Sequence, residues 1–301
     1  MILQITCNEM KRTLRSSGFW LSVGLAMLIL LTSSIYKDLE GTTYTVLSAT
    51  YELEWEQMVD HNLSVESTLG GQIIYQLSMY GALLAALSFA TVLCEEQKYG
   101  VRRYLLFKEG KKRYVISKAL TAILTSGLCF LVIGFLFFVF LYWNYPMRAE
   151  CSPDYYIWFS ENKLPNMTGV VSLVFDLFGE KAFIVLTLMG TFLYGVFCGF
   201  IGFICTAFFS NIYLAVCIPF FFGYIYYSIV SSFDGRLLEG SVTMETYTAI
   251  HSYMSPEGYI QFWEKAEYCL FNVMMLIAAW IIAITIHMIS MQKKSDCGVS
   301  R

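Results

Sequence analysis

The sequence predicts an all-α polytopic membrane protein with six transmembrane helices, and three observations carry that expectation. Only 14% of the 301 residues are charged and 57% are hydrophobic, whereas about a quarter of an ordinary soluble domain is charged. Six apolar runs, near residues 18–36, 71–94, 119–143, 182–209, 212–231 and 269–290, contain no Asp, Glu, Lys or Arg. Each matches the roughly 20 residues that a helix needs to cross a hydrocarbon core. The charged residues all fall in the connections and tails, and there they are sorted by sign.

That sorting sets the expected orientation, because Lys and Arg accumulate on the cytoplasmic side. Segments 1–17, 95–118 and 291–301 hold 14 of the 20 basic residues. Segments 37–70, 144–181 and 232–268 hold 18 of the 23 acids. Both termini and loop 95–118 are therefore expected in the cytoplasm, the three acidic segments outside, and residues 1–301 in a single transmembrane domain.

At the N-terminus, Leu3, Cys7, Met10 and Leu14 recur at helical spacing. Lys11, Arg12 and Arg15 cover much of the remainder. This pattern predicts an interfacial elbow helix with its cations toward anionic headgroups. The first apolar run exceeds the 7–15 or so residues typical of a signal-peptide core, so it reads as a retained span. In 37–70, Tyr44, Leu47, Tyr51, Trp55 and Met58 form an apolar helical stripe beside an acidic one of Glu52, Glu56 and Asp60. Segments 144–181 and 232–268 are rich in aromatic residues and read as further amphipathic helices on the outer surface. Asn62-Leu-Ser64 and Asn166-Met-Thr168 match the glycosylation pattern.

Inside the bundle, Gly195, Gly199 and Gly202 in the fourth run, and Ala82, Ala86 and Ala90 in the second, are small residues at close helical spacing. Such positions let helices approach closely. Pro219 is expected to interrupt the hydrogen bonding of the fifth span, and Ser210–Asn211 to form a tight inner turn. Cys94, Cys129, Cys198, Cys205 and Cys217 lie in spans as small hydrophobes. Cys151 and Cys269 lie outside or at the outer border, which allows a disulfide without requiring one.

Several chemistries are excluded. No G-x-x-x-x-G-K-[ST] phosphate loop occurs, since Gly110-Lys111 is preceded by Leu105 at the first glycine position and followed by Lys112. Glu95-Glu96 would need an arginine at 100 to match the intramembrane glutamate proteases, and Gly100 stands there. His61, His251 and His287 make no metalloprotease motif, and His61 with Glu56 and Asp60 reads as a solvated acidic face. His287 is expected at the inner interface. No catalytic residue, metal site, bound cofactor or nucleic-acid partner is expected. The absence of charge within the spans weakens an ion-coupled carrier.

Residues 95–118 read EEQKYGVRRYLLFKEGKKRYVISK and carry eight of the basic residues. A carboxylate (Glu96) ends the second span and Gly100 follows. A short helix with Leu105-Leu106 comes next, then Gly110, the basic run Lys111-Lys112-Arg113-Tyr114, and Lys118 opening the third span. This order resembles the membrane (permease) subunits of bacterial type-2 ABC exporters, as does the six-span plan with an N-terminal elbow. Val101 departs from the usual Thr, the turn lacks the frequent Pro, and the basic cluster sits about one residue closer to the leucines. The resemblance implies that Glu96, Gly100, Arg102, Arg103, Leu105, Leu106, Phe107 and Lys108 couple the chain to a cytoplasmic ATP-binding subunit, which would hold the ATP and Mg. It implies that Lys11, Arg12, Arg15, Lys111, Lys112 and Arg113 meet lipid headgroups. It further implies a second permease copy, the bacterial plasma membrane, and export of an amphipathic cargo: an antimicrobial peptide, a hydrophobic antibiotic or a lipid. A non-transporting sensor or anchor is the alternative from another class, and an ion-coupled carrier is a third.

Overall fold

The computed structural model describes residues 2–38, 41–152, 154, 157, 161, 169–238, 243, 259 and 266–296. Among these, helix dominates: α1 (Ile2–Leu14), α2 (Ser17–Thr32), α3 (Val46–Glu52), α4 (Trp55–Asp60), α5 (Val65–Lys98), α6 (Val101–Glu109), α7 (Lys111–Asn144), α8 (Arg148–Cys151), α9 (Gly169–Phe178), α10 (Ala182–Phe208), α11 (Ile212–Leu238) and α12 (Ala266–Asp296). A two-stranded antiparallel hairpin, β1 (Ser34–Lys37) and β2 (Thr43–Thr45), follows α2. Five helices (α5, α7, α10, α11 and α12) are long and apolar enough to cross a membrane, or six if the bent pair α1–α2 is one span. The chain is thus an all-α polytopic membrane protein.

Helices α5 and α7 have 34 residues each. At about 1.5 Å per residue they far exceed a hydrocarbon core of about 30 Å, so their ends reach into the polar zones. That excess explains how charge-free runs at 71–94 and 119–143 belong to helices that carry Glu66, Glu96 and Lys118 near their ends.

Helix α5 is the axis of the bundle, with α2, α7, α10 and α11 packed around it. Leu69, Ile73, Leu77 and Leu84 are fully or almost fully buried at spacings of four or seven, one face of the helix. They meet Phe19, Val23, Ala26 and Leu30 of α2, and Phe130, Ile133, Phe137 and Leu141 of α7. Two buried hydroxyls in this core find carbonyls on other elements: Ser22 donates to the Leu84 carbonyl at 2.8 Å, and Tyr145 to that of Val46 at 2.7 Å. In the low-dielectric interior an unpartnered hydroxyl would be costly.

The small residues let the helices close up. A Cβ on Gly195 would lie 2.7 Å from the Phe130 side chain and the Ser126 carbonyl of α7. Gly199 faces the Ser126 side chain, and Gly202 abuts Ala86 of α5. Ala82 faces Gly223 of α11, while Ala90 packs with Ala215 and Val216. Pro219 lies inside α11. The turn at 209–211 is capped by Asn211, whose Oδ1 accepts from Tyr213 N at 2.9 Å.

Several expectations need correction. The first apolar run does not stay helical to residue 36. Ser33 turns its N–H and hydroxyl back onto the Leu30 carbonyl, the helix stops at Thr32, and Ser34 starts β1. The apolar stripe of 37–70 is not one helix: Thr45 caps α3, Leu53 ends it, and Glu54 opens α4. Val46, Ala49 and Met58 point inward, whereas Leu47, Tyr51 and Trp55 are exposed. Trp55 Nε1 donates to Glu150 across to α8 at 3.2 Å. His61 stacks on Tyr36 at 4.3 Å, and His287 is buried against Phe203 rather than interfacial. Cys151 has a free thiol. His251, the glycosylation pattern at Asn166 and most of 232–268 lie outside the described residues.

Candidate functional site

Three ion pairs meet where α5 gives way to α6 and α7. Glu9 and Arg12 lie three apart on α1, and Tyr114 and Lys118 four apart on α7, so each pair shares a helix face. Glu96 sits in the last turn of α5, between them. Its Oε1 accepts from Arg12 Nη1 at 2.9 Å and from Lys118 Nζ at 2.7 Å, and its Oε2 from the Tyr114 hydroxyl at 3.2 Å. Lys118 Nζ also pairs with Glu9 at 2.7 Å. Glu96 and Lys118 are 1% and 2% exposed. Two carboxylates and two cations cancel, which is what lets ionised groups stay buried.

Helix α6 hangs from this cluster. Gly100 before it has φ +72° and ψ 0°, and Gly110 after it φ +78° and ψ 147°. Both lie in regions that a Cβ disfavours, so the chain reverses sharply at each end and α6 becomes a separate short lever. Leu105 and Leu106 seat its inner side against Tyr114, Val115 and Met291. Arg102 also turns inward. One of its guanidinium nitrogens is buried without a hydrogen-bond partner. Burial lowers the Arg102 pKa, opposed by nearby Tyr114 and Glu96. The outer side is apolar and open: Phe107 is 94% exposed and Tyr104 65%. Beside it, a polar cleft of about 720 Å³ is lined by Glu95, Lys98, Tyr99, Asn211 and Tyr213.

The structure therefore splits the residues singled out from the sequence. Glu96, Arg102, Leu105 and Leu106 form the seat of α6, while Phe107 and Lys108 remain on its open side. The side chain of Arg103 lies outside those described. Lys11, Arg15, Lys112 and Arg113 are exposed and Lys111 is half-buried. Arg12, grouped with them as a headgroup contact, is instead drawn to Glu96. Glu9 was missed. Its signal in the sequence is slight: an acid three residues before Arg12 in an otherwise basic segment, the spacing of an ordinary surface pair.

Comparison of the chain with protein-family models, with curated proteins and with solved structures finds no match.

Proposed function

We propose that the chain is the permease subunit of a bacterial ABC exporter, driven by a separate cytoplasmic subunit that binds ATP and Mg. In this reading α1 is the elbow, α2 with α5, α7, α10, α11 and α12 are six spans, and both termini are cytoplasmic. Two copies pair in the plasma membrane and move an amphipathic cargo. The observation that carries the reading is α6. It is a nine-residue helix bounded by glycines, seated by leucines on its inner side, with Phe107 and Tyr104 bare on the outer. Three residues apart on one helix face, Phe107 and Tyr104 form a contiguous exposed aromatic patch, the kind of surface that marks an interaction site. The Glu96 cluster ties the seat to α1, α5 and α7, so force on α6 reaches three helices at once.

Co-purification from cells in mild detergent tests the reading. An ATP-binding subunit is expected to accompany the wild-type chain. Phe107→Asp is expected to lose that subunit and the ATP-dependent export while leaving the thermal unfolding of the permease unchanged. Leu105→Asp is a poorer test, because Leu105 also packs the bundle. Recovery of no ATP-binding partner, or full export by Phe107→Asp, overturns the proposal.

A further inference from the structure

Helices α11 and α12 both pack on α10 but scarcely on one another. The space between them is a cavity of about 630 Å³. Its floor is Phe197 and Cys198 of α10, its walls Tyr226 of α11 and Met275 of α12, and Tyr259 lies across one end. Phe197 and Tyr259 stack at 4.6 Å. None of the described lining residues is charged. Its lining hydroxyls on Ser78 and Tyr194 are already committed to backbone carbonyls. Among the described residues, those of Tyr226 and Tyr259 have no such partner.

A water-filled cavity of this size would need two to four polar partners for each molecule, and two phenols in an otherwise apolar lining do not supply them. The cavity sits at the middle of the apolar runs of α10 and α11 and opens between two helices whose outer faces, including Phe221 and Ile277, are exposed apolar surface. Hydrocarbon can reach it sideways without crossing a polar zone. Its size lies within the range of small-molecule sites, about 300–1,000 Å³. An uncharged lining rejects a charged group, while the phenols of Tyr226 and Tyr259 can donate to an uncharged acceptor. We infer that this cleft binds a single hydrocarbon chain of an amphiphile, with an ester or similar neutral acceptor against Tyr226 and Tyr259. The site stands independently of the ATP-driven reading above.

The test uses the full chain in lipid nanodiscs. Two photoactivatable probes are compared: a phospholipid with a diazirine at the end of one acyl chain, and a single-chain fatty acid with the same group. Irradiation is followed by peptide mapping. Labelling is expected to concentrate on Phe197, Tyr226, Tyr259 and Met275 over lipid-facing Ile281. The probe that labels more strongly identifies a bilayer lipid or a free single-chain amphiphile as the source. Ala279→Trp, which fills the cleft, is expected to cut that labelling about tenfold, the equivalent of displacing two chain methylenes. Ile281→Trp is expected to leave it unchanged. Met275→Gln, a smaller change, is expected to weaken labelling if the indole prevents folding. Equal labelling of cleft and lipid-facing residues by both probes, or undiminished cleft labelling in folded Ala279→Trp or Met275→Gln, overturns the inference.

Discussion

Glu96 and Lys118 show what one residue can do when water is excluded. Glu96→Gln would leave Arg12 and Lys118 with one carboxylate fewer between them, at a site where Lys118 is 2% exposed. Breaking a buried pair from one side costs about 3–5 kcal/mol, so a clear fall in unfolding temperature is expected in detergent. Arg12 is different: its side chain is 48% exposed, and Arg12→Ala is expected to cost about 1 kcal/mol or less. A double variant, Glu96→Gln with Lys118→Met, should be less unstable than the sum of the single changes, because neither charge is then stranded. Additive losses would mean that the two groups do not act as a pair. At this scale the sequence was partly readable. Glu96 was singled out by its place in the family resemblance, next to Glu95, which closes a charge-free run. Its partners were not, because an ion pair across separate helices leaves no local spacing, and Arg12 looked like any other interfacial cation.

Among the elements, the bounding glycines of α6 make different predictions. Gly100 has left-handed helical geometry, which Asn also tolerates, so Gly100→Asn should preserve the reversal. Gly110, with ψ near 147°, lies where only glycine is comfortable, and Gly110→Ala should cost about 1–3 kcal/mol. Amide hydrogen exchange of α6 would register that as faster exchange over 101–109. Long helices supply a matching contrast. Gly195→Val must displace Phe130 or the α7 backbone and should destabilise by about 1–3 kcal/mol. Gly71→Ala in α5 meets nothing within 4 Å and should gain about 0.5–1 kcal/mol. Equal behaviour of these two variants in thermal unfolding would refute the close approach of α7 and α10. Element by element, the charge-free runs located the long helices well, because exclusion of charge from hydrocarbon is a strong physical filter. The short elements of 37–70 were read as helical but not as separate pieces. A five-residue stripe counted at 3.6 spacing ignored Thr45, Leu53 and Glu54, whose capping breaks the chain into separate pieces.

For the whole molecule, orientation is the property most open to experiment. Cys7 is exposed on α1 and Cys151 is half-buried on α8, near opposite ends of the bundle. A membrane-impermeant maleimide applied to intact cells is expected to modify Cys151 and spare Cys7. The pattern should invert with inside-out vesicles, and labelling of Cys7 from outside would reverse the proposed topology. Burial pushes the Cys151 thiol above its ordinary pKa, assisted by Glu150 and Glu66 and opposed by Arg148. Its labelling should accelerate as pH rises beyond the ordinary thiol range, because only the thiolate reacts. The overall architecture was the most legible level of all, since composition and sign of charge are integrated over many residues. The cleft between α11 and α12 was not legible, because it arises from two helices failing to meet, and no residue pattern marks an absent contact.

The meeting of Arg12 with Glu96, 84 residues further along, also bears on how the protein is made. Helix α1 has no ionic partner for Arg12 until α5 has been threaded into the bilayer, and none for Glu9 until α7 begins to follow. Through that interval it must wait on the membrane surface. Nascent chains arrested after α2 should therefore leave α1 open to protease, and those arrested after α7 should be the shortest in which it is shielded.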